Sequence, residues 1–207
     1  MPANGIDTQV VRLDSMRGNE HVKRAVEVAA VQNHAIVFLA HRPNIPTAKS
    51  YAQWLAQFGN EHTTVLEPCY CGYYGDVYRE CKCSERAIMR WRNRPDYRAA
   101  QMNGAMWSEI SYVPFEKLVS ARKPEADEAI IERIERAKFS VRMMKQKQAH
   151  ELDNSSQRLL QAAMRQLALT EPQLNNILAV TTSIAALDDS RSSWVAYLAE
   201  ALQYRIR

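Results

Sequence analysis

All four cysteines of the chain fall inside one stretch, PCYCGYYGDVYRECKCS, as Cys69, Cys71, Cys81 and Cys83, with the spacing C-x-C-x9-C-x-C. No other feature constrains the fold as tightly, because if these thiols meet, the backbone of residues 68–84 must close on itself. Zn²⁺ asks for four soft ligands in a tetrahedron, about 2.3 Å from each sulfur. Gly72 and Gly75 supply the tight backbone that a small knuckle needs. Structural zinc sites more often place two to four residues between paired cysteines, and a single intervening residue makes chelation from one turn harder. Free thiols and disulfide or redox chemistry therefore stand beside zinc as alternatives. A set made entirely of cysteine leaves no open coordination position, which argues for structural and against catalytic zinc.

The remaining composition bounds the class. A chain of 207 residues, 46% hydrophobic and 24% charged, suffices for one medium domain or two small ones. No apolar run approaches the length of a membrane span, and the opening MPANGIDTQVVRLD lacks the basic-then-apolar pattern of a secretory signal. A cytoplasmic setting with reduced thiols and no membrane partner is the expectation. The net charge of +4 is mild, evenly spread, and names no nucleic-acid partner by itself.

Before the cysteines, the periodicity predicts a helix over residues 20–31 with Val22, Val26 and Ala29/Ala30 buried. A short apolar strand is expected over Ile36–Leu39, then a helix over residues 47–58 burying Tyr51, Trp54, Leu55 and Phe58, and a second strand over Thr63–Leu66. Strand, turn and helix form the setting of a phosphate loop, yet the turn AHRPNIPT contains neither glycine nor lysine. So short a unit makes only a cut-down α/β layer, or one completed by a partner chain.

After the cysteines, Arg86, Arg90, Arg92, Arg94 and Arg98 crowd together with Trp91 and Tyr97 between them. Such a segment can neutralise phosphates and stack bases. A solvated helix face, or a contact for an acidic protein surface, explains it equally. Residues 99–119 read as connector with one strand around Ile110–Val113. The rest is expected to be helical. One helix runs from Pro124 to about Gln148 and buries Ile130, Ile134, Ala137/Phe139 and Val141. A second, capped at Asn154–Ser156, buries Leu159, Leu160, Ala163, Met164 and Leu167. A third opens at Thr170-Glu171-Pro172 and a fourth carries Trp194, Leu198, Ala201 and Leu202, giving a small bundle.

Three blocks, MRGNEHVKRAVEVAAVQNH, the cysteine stretch and LTEPQLNNILAVTTSIAALDDS with its LAEALQYR ending, resemble the magnesium-chelatase-like AAA+ ATPases, and within them the competence-related helicase branch. The resemblance implies a P-loop core, a cysteine insert near its end and a C-terminal helical lid. On that frame the fold class is α/β plus all-α: residues 1–120 a reduced α/β remnant with a zinc knuckle at 68–84, and residues 121–207 a lid-like bundle. The family's phosphate loop is approximately GPPGSGKT, and here Ala40–Thr47 stands in its place. Pro43 and Pro46 remove two N–H donors. Pro46 occupies the lysine position, Lys49 falls inside the helix, and Thr47 alone matches the family's magnesium ligand. About 20 residues separate this turn from Pro68, too few for the acidic metal motif, for which Glu61 and Glu67 have no suitable context. NGAMWSEISY replaces a segment that carries an arginine in the family, and lid arginines fall at Asn176, Ala179 and Thr182.

The resemblance together with these losses implies no ATP hydrolysis and no ATP cofactor. The leading expectation is a non-catalytic scaffold or adaptor subunit that meets a protein partner or oligomer and carries structural zinc. The alternative is an accessory protein that binds DNA or RNA through Arg86, Arg90, Trp91, Arg92, Arg94 and Arg98. An unrelated enzyme finds no support, because His21, His34, His41, His62 and His150 are scattered and no triad or metalloprotease motif is present. His41–Arg42 is the one place in the turn suited to an anion.

Overall fold

The computed structural model describes residues 11–119, 124–143, 151–188 and 193–205. Three parallel strands, β1 (Ile36–Ala40), β2 (Thr63–Leu66) and β3 (Met106–Ile110), form a sheet in the order β2-β1-β3. Ile36 stands opposite Thr63 on one side and Met106 on the other. Ahead of β1 lies α1 (Glu20–Gln32), and β1 runs through a 3-10 turn at Arg42–Asn44 into α2 (Ile45–Ala56). The crossover from β2 to β3 carries the cysteine loop, α3 (Glu85–Arg92) and α4 (Pro95–Asn103). A short α5 (Phe115–Leu118) leads to α6 (Asp127–Met143), α7 (Asn154–Leu167), α8 (Glu171–Leu187) and α9 (Trp194–Gln203). Among the described residues no helix is long and apolar enough to cross a membrane.

Alternation along the strands divides the interior. Ile36, Phe38, Ala40, Met106 and Ile110 join Val22 and Val26 of α1, Tyr51 and Trp54 of α2, and the buried stripes of α6 to α9 in one continuous core. Val37 and Leu66 face the other way, against Tyr97 and Ala100 of α4, with Trp91 and Trp107 packed alongside. Both faces of the sheet are thus covered, as a parallel sheet requires. Polar ties reinforce the shared core. The buried Asp127 at the start of α6 accepts the Leu13 N–H at 2.7 Å and the Trp54 indole N–H at 3.1 Å. Arg133 of α6 donates to Glu27 of α1 at 3.0 Å, and Arg24 of α1 pairs with Glu200 of α9 at 2.9 Å.

Several elements differ from the sequence expectation. The third strand lies over Met106–Ile110, not Ile110–Val113. The Asn19 side chain takes both the N–H and the C=O of Ser111, each at 3.1 Å, and so diverts the chain where the sequence reads on as strand. The second helix starts at Ile45, because Pro46 fits its first turn. Residues 99–103 are the end of a helix over Pro95–Asn103, where connector was expected. Phe139 is 66% exposed and Met164 37%, although both were expected inside. Their neighbours Ile134, Ala137, Leu160 and Ala163 fill the buried stripe. Asp153, not a residue of Asn154–Ser156, caps α7, its carboxylate accepting the Ser156 N–H at 2.9 Å. The expected extension of α6 to about Gln148 lies outside the described residues beyond position 143.

Candidate metal centre and the turn beneath it

At the carboxyl end of the sheet, the connection from β1 passes to α2 on one face, and the connection from the neighbouring β2 passes to α4 on the other. Between such connections lies the crevice where open α/β sheets hold ligands. The His41–Asn44 turn sits there, and the loop that leaves β2 through Glu67 and Pro68 folds over it. Arg42 is held from several directions. Its backbone N–H donates to the Gly72 carbonyl at 3.1 Å, and its guanidinium donates to both Glu67 oxygens, at 2.8 and 3.4 Å, and to the Tyr70 carbonyl at 3.0 Å. Gly72 has φ +82°, and a Cβ there would lie 2.8 Å from both Arg42 Cβ and Glu67 Oε1. The buried His41 ring bonds the Tyr74 carbonyl at 3.1 Å and lies 3.7 Å from Asp76. Asp76 in turn accepts the N–H groups of Tyr78 and Arg79 at 2.7 and 2.9 Å. Although burial opposes it, these donors hold its carboxyl below the ordinary range.

A phosphate loop works by presenting free backbone N–H groups to one centre. From Arg42 to Pro46 none is free. The Arg42 N–H goes to Gly72, that of Asn44 to the His41 carbonyl at 2.7 Å, and that of Ile45 to the Arg42 carbonyl. Pro43 and Pro46 have no N–H. Asn44 turns its side chain away, donating to the Ile110 carbonyl at 3.1 Å. Thr47 is half-buried and Lys49 exposed, both within α2.

The four thiols converge. Cys69 Sγ lies 3.5 Å from Cys71 Sγ and 3.7 Å from Cys81 Sγ, the latter two are 3.6 Å apart, and Cys83 brings all four within 4.8 Å of one another. A tetrahedron with sulfur at about 2.3 Å from zinc has an edge of about 3.8 Å, so the spacing fits a single ion. It lies far outside the roughly 2.05 Å of a disulfide. Backbone donors reach the sulfurs as they do around thiolates: Tyr74 N–H to Cys69 at 3.3 Å and Cys83 N–H to Cys81 at 3.5 Å. Against the effect of burial, the N–H groups of Lys82 and Tyr73 bring Cys71 down to about 6. The cluster can hold a metal ion.

The arginine-rich segment does not form one surface. Arg86 and Arg90 are exposed on α3, and among the described residues no side chain pairs with them. Trp91 donates its indole N–H to the Glu67 carbonyl at 2.9 Å, meets Tyr70 edge-on, and carries the Arg94 guanidinium 3.5 Å above its ring. Arg94 also pairs with Asp96, Arg92 lies over Tyr74 at 5.0 Å, and Arg98 donates to Asn93 at 3.1 Å. In α8, Thr182 is buried with its hydroxyl on the Leu178 carbonyl at 3.0 Å, and the Ala179 carbonyl accepts from Gln32 of α1 at 3.2 Å. Asn176 is half-buried on the same helix.

Sequence reading did not foresee Glu67, Gly72 and Asp76 as the groups that lock the turn. For Asp76 a local signal existed, since an aspartate accepting from the N–H groups two and three residues on is a common turn. For Glu67 there was none, because its partner lies 25 positions away. No curated protein matches the chain. Residues 116–205, which span α5 to the end of α9, match the family model described as "Magnesium chelatase, subunit ChlI C-terminal". The helical part of the chain is thus similar to the C-terminal domain of that magnesium chelatase subunit.

Proposed function

We propose that the chain is a non-catalytic scaffold or adaptor subunit of a protein complex, working in a reducing, cytoplasmic setting. In this reading Cys69, Cys71, Cys81 and Cys83 hold a structural zinc, and ATP is neither bound nor hydrolysed. The observation that carries it is the commitment of every backbone N–H between Arg42 and Pro46, with Arg42 held under the cysteine loop by Gly72, Glu67 and Tyr70. An anion placed there would have to displace the whole loop. Zinc would fix that loop in place, so the metal and the closed turn belong to one device.

The test uses the full chain as purified without chelator. Metal analysis is expected to give one equivalent of zinc, and phosphate release from Mg·ATP is expected to match the buffer blank with or without DNA. Far less than one equivalent, with the protein still folded, removes the zinc. Sustained turnover removes the non-catalytic role.

A second reading, nucleic-acid binding, is favoured by Arg86 and Arg90 lying one helical turn apart and uncommitted. The engagement of Trp91, Arg92 and Arg94 within the protein weakens it. It requires that replacing Arg86 and Arg90 by alanine lower DNA affinity and flatten its salt dependence. Unchanged binding dismisses it.

A further inference from the structure

The two edges of the sheet are treated differently by the chain. At β3, the Trp107 N–H donates to the Tyr204 carbonyl at 2.6 Å, and the Glu109 carbonyl bonds the His21 ring at 2.7 Å. At that edge one outward N–H and one outward C=O are thus taken up from within the chain. At β2 the His62 carbonyl accepts from Ile36 of β1 at 3.0 Å. In a parallel ladder the backbone groups of successive residues face opposite ways, so Thr64 and Leu66 serve β1 while Thr63 and Val65 face outward. Among the described residues, no backbone or side-chain group bonds the outward N–H and C=O of Thr63 and Val65. Nor does β2 carry the proline or charge with which natural edge strands are blunted.

Beside this edge runs an open groove of about 550 Å³. Ile45, Pro46 and Lys49 of α2 form one wall, Trp91 and Arg94 the other, and Val65 and Leu66 the floor. The geometry points to the outer edge of β2 as a docking strand for an extended, acidic segment of a partner protein, which adds to the sheet by backbone pairing. Only an extended chain matches the spacing of the outward groups. Ile45, Pro46 and Trp91 give the groove an apolar lining for a branched side chain of that segment. Charge selects the rest. Of the cations along the groove, Arg42 is paired with Glu67 and Arg94 with Asp96, whereas Lys49 is exposed and has no carboxylate partner among the described residues. A segment with Asp or Glu facing Lys49 completes the set. A second copy would bring no unpaired carboxylate of this groove to Lys49, because its Glu67 and Asp96 are already paired with Arg42 and Arg94, so self-pairing is disfavoured. The inference rests on the adaptor reading, for which it names the class of partner.

The test is selection of random eight-residue peptides on the metal-loaded full chain, followed by affinity measurement on two variants. Val65→Pro deletes an outward N–H and leaves the ladder to β1 intact, a substitution that edge strands tolerate. Lys49→Glu changes an exposed position and keeps the test valid if the proline variant is poorly folded. Selected peptides are expected to alternate β-branched and acidic residues, to bind at least tenfold more weakly to each variant, and to slow amide exchange at Thr63 and Val65. Peptides that bind both variants as tightly as the wild type, or no enrichment at all, overturn the proposal. So does a dimer of the free chain in sedimentation that Val65→Pro dissolves. ATP turnover by a chain that still binds such peptides through Val65 and Lys49 would retire the non-catalytic reading and leave the docking edge standing.

Discussion

Gly72 joins the cysteine cluster to the turn. Its φ of +82° suits glycine alone among common residues, and its missing Cβ is what lets Arg42 and Glu67 approach. Gly72→Ala is therefore expected to destabilise the protein by about 2 kcal/mol, the usual scale for backbone strain at such a position. It should also loosen the loop enough to speed zinc loss to a chelator. Gly75→Ala is the informative control, having the same φ of +82° but nothing within 4 Å of an added Cβ. Equal zinc release from the two variants would show that the Arg42 contact is irrelevant to the loop. At this scale the sequence was legible where chemistry is local. The four cysteines announce themselves by spacing, whereas the Arg42–Glu67 pair and the Asp127 ties to Leu13 and Trp54 join residues far apart in the chain.

Among the elements, β1, α2 and the helices from α6 onward follow from apolar runs, periodicity and prolines in first turns. β3 was misplaced because a side chain distant in sequence, Asn19, decides where its pairing stops. Phe139 was misjudged because a helix with apolar residues on several sides does not announce which stripe is buried. The end of α7 carries a local conflict of another kind. Ala168 adopts φ +48°, a left-handed cap that usually belongs to glycine. Ala168→Gly is expected to raise stability by about 0.5–1 kcal/mol. Urea denaturation measures it, and a loss of stability would contradict the helix end described here.

For the molecule as a whole, the helical part and the sheet part share one core, and polar contacts cross the junction. His34, after α1, meets Ser183 of α8 at 2.8 Å, and burial pushes its imidazole down to about 4. Because the unfolded value is about 6.5, the unfolded chain binds the extra proton between those limits. The contribution is complete above about pH 6.5 and is lost as pH falls toward 4. The wild type is expected to lose roughly 2–3 kcal/mol more than His34→Gln between pH 7 and 4.5. Identical pH profiles would mean that the ring is not buried neutral. The same whole-molecule view bears on the closed turn, since loop, metal cluster and crevice stand or fall together. Its most direct test is calorimetric titration of the zinc-loaded full chain with Mg·ATP. No saturable heat is expected up to millimolar nucleotide; a micromolar, stoichiometric binding isotherm would contradict the closed turn.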